Sequence, residues 1–243
     1  MKWLAIDTST LVLGVAVMEE GGLLGEVTTN LHKNHSVRLM PTVARLLEDL
    51  DLSVSDLDAV AVAGGPGSYT GIRIGFTTAK TIAWSRDIPL YRVSSLAVLA
   101  MNGLRFPGGV VPLFDARRNR VYTGLYQGRL GEVIPALPER VIDLDQWLME
   151  LRGKGPLLFL GDDTARFRDR IIEVLGGEAH FGLAAENVSR ASLLGELAIA
   201  SRRRGEDPEL EDAAPNYLQL AEAEAKWLKG QTNGVTKDGA STD

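Results

Sequence analysis

The sequence predicts an α/β protein made of two similar lobes, each a mixed sheet covered by helices. Apolar, β-branched runs alternate with helical periods along the chain. The order strand, strand, strand, helix, strand, helix, short strand, helix occurs twice. The first strand of each half closes on aspartate, in "LAIDTST" and "PLFDARR", and the fourth on glycine, in "AVAGG" and "LFLGD". A repeat of about 105 residues is too long for a solenoid unit, so duplicated α/β lobes are the reading.

In the first half, strands are expected at Trp3–Ile6, Gly14–Met18 and Leu23–Thr28, with "EEGG" as the turn between the last two. A helix follows over Ser36–Leu50, opened by Ser36, then a buried strand over Ala59–Ala63. A second helix covers Thr70–Ser85. A short strand surrounds Tyr91–Val93, and a third helix starts near Ser94 or Ser95, both suitable caps. In the second half, "GVVPLFD", "RVYTGLYQG" and "GEVIPA" are the three strands. Asp143 caps a helix over Leu144–Leu151, and strand Leu157–Leu160, helix Thr164–Leu175, a link near His180 and helix Ser189–Arg204 complete the repeat. The expected division is 1–106, 107–220 and a tail of 221–243, polar and aperiodic at its end. The first boundary falls at "RFPGG", where proline and glycine interrupt the pattern.

At 243 residues the chain is long enough for a sizeable core, and 45% apolar with 24% charged residues is ordinary for a globular protein. A net charge of -6 gives no general attraction for nucleic acid or an anionic membrane, so any RNA contact is expected to run through a partner. The absence of cysteine excludes disulfides and thiolate metal sites. "MKWLAIDTST" does not read as a signal peptide, and no apolar run reaches the roughly 18 residues of a membrane helix. A cytoplasmic protein is expected.

"GGPGSYTG" lacks the lysine of a Walker A loop and has one residue too many for GxGxxG. Either its glycines turn the chain tightly, with Pro66 stiffening the turn, or Gly65 and Gly67 touch a phosphate. In the next helix Gly71, Gly75, Ala79 and Ala83 form one narrow stripe. Glycine within a helix costs about 1 kcal/mol relative to alanine, so another backbone must come close: the protein's own sheet or a partner's helix. In the first long helix Val37, Leu39, Met40, Val43, Ala44, Leu46, Leu47 and Leu50 cover about half the circumference, more than one sheet needs. The surplus is covered by the second helix or forms an interface patch. Asp7, Thr8 and Ser9 stand at the carboxyl end of the first strand, where α/β folds collect ligands. They either hold a phosphate or a hydrated magnesium ion, or turn the chain; for Asp115 the turn is favoured. His32 and His35 form HxxH without a placed third ligand, which reads as a solvated helix entry, so no metal is expected. With no GxSxG elbow and no cysteine, no catalytic residue is assigned.

"LAIDTST", "DAVAVAGGPGSYTGIRIG", "VSSLAVLA" and "DARRNRVY" closely resemble the TsaB, or YeaZ, family of bacterial tRNA threonylcarbamoyladenosine biosynthesis proteins. The likeness runs in order from Met1 to about Tyr126; beyond it stand the lobe architecture and "APNYLQ". It implies the actin, heat-shock-70 and sugar-kinase fold, with two ribonuclease-H-like lobes. It implies a non-catalytic partner of TsaD, which transfers threonylcarbamoyl to the adenosine beside the anticodon of tRNAs reading codons that begin with A. TsaE, an ATPase, completes that assembly. The chain would have no cofactor of its own; ATP or ADP and a metal would enter through TsaD and TsaE, and tRNA would be met through the complex. Without TsaD, the joint apolar surface of the first two long helices is expected to self-associate, an isologous homodimer being the commonest way to cover such a patch. TsaD holds its metal through HxxxH on the helix after the short strand, where this sequence has Ser95 and Leu99. The family's interface falls on the first two long helices, which assigns it Val37, Met40, Val43, Ala44, Leu47, Gly71, Arg73, Gly75, Ala79 and Ala83. Two rivals stay open: a kinase-like phosphotransferase using Asp7 and the glycine loop on ATP, and a peptidase, the family's older label.

Overall fold

The structure, a computed structural model, describes residues 1–31, 34–129, 131–210 and 213–214. His32, the 221–243 tail and "APNYLQ" from Pro215 onward lie outside the described residues. The first sheet contains β1 (Lys2–Asp7), β2 (Val12–Glu19), β3 (Gly22–Asn30), β4 (Ala59–Ala63) and β5 (Leu90–Val93), in the order β3-β2-β1-β4-β5. The second contains β6 (Gly109–Asp115), β7 (Arg120–Arg129), β8 (Glu132–Asp143), β9 (Leu157–Leu160) and β10 (Ala179–Phe181), in the order β10-β9-β6-β7-β8. The two orders are the same order written twice. In each sheet the first three strands pair antiparallel and the last two parallel. The expected duplicated α/β lobes with mixed sheets are therefore present.

The central strands are apolar on both faces because both faces are covered. On the outer face of the first sheet lie α1 (His35–Asp49) and α2 (Tyr69–Arg86); on the outer face of the second lie α4 (Leu144–Leu151) and α5 (Thr164–Leu175). The inner faces are covered crosswise. Helix α6 (Ala191–Arg203), from the second half, packs Ala191, Leu194, Ala198 and Ile199 onto Trp3, Ala5, Ala16 and Met18 of the first sheet. Helix α3 (Ser95–Ala100), from the first half, packs Leu96, Leu99 and Ala100 onto Val110, Phe114 and Tyr126 of the second. Each sheet thus completes its core with a helix from the other half. The start of α6 is held in the same way: Glu26 of β3 accepts from the Ser192 amide at 3.0 Å and pairs with Arg190 at 2.6 Å.

The largest departure from expectation is β8. It runs over twelve residues, against the six of "GEVIPA". It is the edge strand of its sheet, where Pro135 and Pro138 are tolerated although they blur the strand pattern. Among the described residues no helix is long and apolar enough to cross a membrane.

Candidate functional site

The loop after β1 and the glycine loop after β4 lie against each other. Asp7 is buried, and its Oδ1 accepts from the Ser9 amide at 2.9 Å and the Ser9 hydroxyl at 2.7 Å. The Thr8 hydroxyl donates to the Gly71 carbonyl at 2.8 Å, and the Ser68 amide donates to the Ser9 carbonyl at 2.7 Å. The Gly65 amide donates to the Ser95 hydroxyl at 3.2 Å, and the Ser95 amide donates back to the Gly65 carbonyl at 2.9 Å. A Cβ on Gly67 would lie 2.1 Å from the Ser9 carbonyl oxygen at a φ of +152°, so only glycine fits there.

The structure thus brings together Asp7, Thr8, Ser9, Gly65 and Gly67, the five residues expected to touch a phosphate. The Ser9 amide and hydroxyl, the Thr8 hydroxyl and the Gly65 amide are already engaged inside the loops. Burial pushes the Asp7 carboxyl above the usual carboxylate range, opposed by the Ser9 bonds and by His35. This geometry suits the tight-turn reading better than a phosphate cradle. His35 corrects the expectation of a solvated helix entry. It is 9% exposed, and its Nε2–H donates to the Thr10 carbonyl at 2.8 Å. The cap of α1 is Asn34, whose side chain accepts from the Ser36 amide at 3.0 Å.

The two outer helices of the first lobe divide the expected interface residues into two groups. On α1, Leu39, Val43, Leu46 and Leu47 enter the core. Val37 at 68% exposure, Met40 at 47% and Ala44 face outward with Pro41, one helical stripe apart. Pro41 has no amide for the Val37 carbonyl, so the stripe also leaves a helix carbonyl without its usual bond. Val43 and Leu47 therefore leave the interface set, because the sheet takes them.

On α2 the small-residue stripe faces inward. A Cβ on Gly71 would lie 2.2 Å from the Thr8 carbonyl oxygen, and one on Gly75 2.3 Å from Thr8 Oγ1. Ala79 and Ala83 are buried in the same core. What the glycines admit is the protein's own Thr8, just past the end of β1, by its carbonyl at Gly71 and its hydroxyl at Gly75, which corrects the partner assignment of Gly71, Gly75, Ala79 and Ala83. Arg73 does face outward, donating from Nη1 to the Tyr69 hydroxyl at 2.6 Å. Two exposed aromatics of the same helix escaped the sequence reading, Tyr69 next to Arg73 and Trp84 three turns on, the latter 57% exposed with Lys80 Nζ 5.0 Å from its ring centroid. Their signal was present: both lie off the small-residue stripe, on the side that a helix packed through glycines turns to solvent.

Ser95 and Leu99, the positions at which the resemblance would set TsaD's metal ligands, are built into the fold. Ser95 is fully buried and holds the glycine loop, and Leu99 is fully buried in the core around α3. The family model described as "TsaD: tRNA N6-adenosine threonylcarbamoyltransferase" matches residues 16–227. The chain is 49% identical to the tRNA threonylcarbamoyladenosine biosynthesis protein TsaB of Bacillus subtilis, over 95% of this chain and 100% of that one. The chain belongs to the TsaB family. The TsaB of Escherichia coli is 36% identical over 134 residues, 52% of this chain and 55% of that one. A solved structure described as "YeaZ from Pseudomonas aeruginosa" superposes with a TM-score of 0.75 at 30% identity, covering 89% of this chain and 99% of that one. The TsaB likeness thus extends through both lobes, beyond the Met1–Tyr126 stretch that carries the motifs.

Proposed function

We propose that this chain is a non-catalytic subunit in the formation of threonylcarbamoyladenosine in tRNA, and that it works by binding a TsaD-type transferase. The pathway role follows the names of its TsaB relatives. The observation that carries the binding role is the outer face of α1. Val37, Met40 and Ala44 stand in the open on a helix whose other face already fills a core. An apolar stripe of this kind marks an interface. The outward side of α2, with Tyr69, Arg73 and Trp84, lies alongside it and supplies the aromatic and arginine side chains that interfaces favour.

Ser95 and Leu99 support the non-catalytic part, since a leucine cannot ligate a metal and this serine already accepts a bond from Gly65. ATP or ADP and a metal would then be brought by TsaD and TsaE, and tRNA by the assembly. In isolation the same stripe would pair with a second copy of the chain in a cytoplasmic homodimer. The test mixes the purified chain with its cognate TsaD and TsaE. Association with TsaD and a dependence of tRNA modification on the chain are expected. Modification proceeding equally well without the chain would overturn the proposal.

A further inference from the structure

The ladder between β7 and β8 slips twice, once between Thr123 and Leu125 and once between Leu125 and Tyr126. At the first slip Thr123 pairs with Arg140 and Leu125 with Leu137, so two steps on β7 span three on β8. This is a β-bulge, and its extra residue reverses the faces that follow. Leu137 and Ile142 are an odd number of residues apart, which regular alternation would put on opposite faces, yet both pack on the outer core of the second sheet. The bulge between them turns Glu139 to the inner face, against Tyr126. Gly124 leaves the room: a Cβ there would lie 3.3 Å from Tyr126 Cε2 and 3.6 Å from Glu139 Cα.

Glu139 Oε1 accepts from two hydroxyls, those of Tyr126 and Ser94. Tyr126 is 1% exposed, and burial first, then the Glu139 charge, hold its hydroxyl well above the ordinary tyrosine range, so it stays a donor. Ser94 belongs to the first lobe and caps α3, its Oγ accepting from the Leu96 and Ala97 amides at 3.2 and 3.3 Å. A hydroxyl that accepts in this way still has its own proton to place, and Glu139 receives it. The next residue, Ser95, is bonded both ways to Gly65 of the glycine loop.

We propose that Glu139 is a positioning residue, a carboxylate of the second lobe that fixes Ser94 and, through Ser94 and Ser95, sets the glycine loop of the first lobe. That loop ends at Ser68, whose amide donates to the Ser9 carbonyl and whose hydroxyl caps α2 by accepting from the Gly71 amide at 3.3 Å. The second lobe, which supplies none of the outer face of α1 and α2, thus governs where α2 begins. The inference does not depend on what those helices bind.

The test is amide hydrogen exchange by nuclear magnetic resonance on the full chain, beside Glu139→Asp and Glu139→Gln. Aspartate keeps the charge but is one methylene shorter, which withdraws the acceptor from Ser94. Glutamine loses the charge and keeps an oxygen in the place of Oε1. The reference is the Val60 amide, at the other end of β4, which donates to the Pro89 carbonyl. In Glu139→Asp the exchange of the Gly65 and Ser95 amides, divided by that of Val60, should rise about five- to tenfold, the protection of one hydrogen bond. In Glu139→Gln the ratio should stay within about twofold. An unchanged ratio in Glu139→Asp would overturn the proposal, a rise that Val60 shares included, since that is global loosening. So would a glutamine variant as fast as the aspartate one. The unsubstituted protein gives a check that needs no variant to fold: the Ser94 Hβ protons should show a through-space contact with the Tyr126 ring, and a missing contact would separate Ser94 from the carboxylate that is said to hold it.

Discussion

The two lobes share one topology and differ in what they do with the end of the first strand and with the outer helices. Asp7 ends β1 fully inside, bonded to Ser9 and, among the described residues, in no ion pair. Asp115 ends β6 half-buried, paired with Arg166 and bonded to the Arg117 amide at 2.8 Å. The outer helices of the second lobe are laced with charge: Arg170 reaches Asp145 at 2.5 Å and Glu173 at 2.8 Å, and Arg140 pairs with Glu150. Among the described residues the outer helices of the first lobe carry one such pair, Arg45 with Asp49, and leave Val37, Met40, Tyr69 and Trp84 exposed. Topology was duplicated; surface was not. The lobe whose outer layer carries less charge pairing turns Tyr69 and Trp84 outward, where the charge-laced lobe exposes Met149 and Ile172.

The largest effect that can break this comparison is expected at Gly75. Leucine there would drive its side chain into Thr8 and lower the stability by about 3 kcal/mol. Thermal melting checks it. An unchanged melting temperature with lost TsaD binding would return the small-residue stripe to the surface and undo the contrast between inner and outer faces. Next comes Met40→Glu, which places a charge on the exposed stripe. It should weaken TsaD binding about tenfold or more while stability stays within about 0.5 kcal/mol. A binding titration and a melt on the same variant read both. If Met149→Glu, on the outer face of α4, weakens TsaD binding as much, the lobes are not distinguished in this way. Ser95→Ala follows. It removes the acceptor of the buried Gly65 amide and should cost about 1–2 kcal/mol. Ser95→Thr, which keeps the hydroxyl, should recover part of that.

Much of this was legible in the sequence, for reasons that can be named. The β1 run "WLAID" and the caps Ser94 and Asp143 carry local signals that survive folding, and the structure has both caps where they were expected. The repeat itself was legible because each lobe solves the same packing problem. What stayed hidden was non-local. No local pattern says that α3 will cover the second sheet and α6 the first, since an apolar helix face does not name its neighbour. The stripe from Gly71 to Ala83 announced a close approach and left its direction open, because a glycine shows the absence of a side chain and not the identity of what fills the space. Two of the five α1 residues assigned to the interface, Val43 and Leu47, were misassigned for the same reason: Val43 and Met40 look alike until the sheet is in place. His35 read as solvated because its burial depends on Thr10, far away in sequence.

The smallest effect, and the one that sharpens the comparison of the two aspartates, is expected from Arg166→Ala. Arg166 is well exposed, so its pair with Asp115 should contribute only about 0.5–1 kcal/mol, less in high salt. Its pH dependence carries more information than its size. Asp163, whose side chain receives the Asp115 amide at 2.8 Å, is pushed above the ordinary aspartate range by burial first, then by the charges of Asp115 and Asp162; Arg166 pulls it back down. A carboxyl raised in the folded state favours folding when protonated and disfavours it as pH climbs through its titration. Without Arg166 that rise is larger. The deficit of the variant should therefore be least in acid, where Asp163 is protonated, and grow as the pH rises through the carboxylate range to a plateau near neutrality. Urea denaturation at a series of pH values measures it. A deficit that shrinks with rising pH would mean that Arg166 does not balance this acidic corner, and that Asp115 needs its cation no more than Asp7 does.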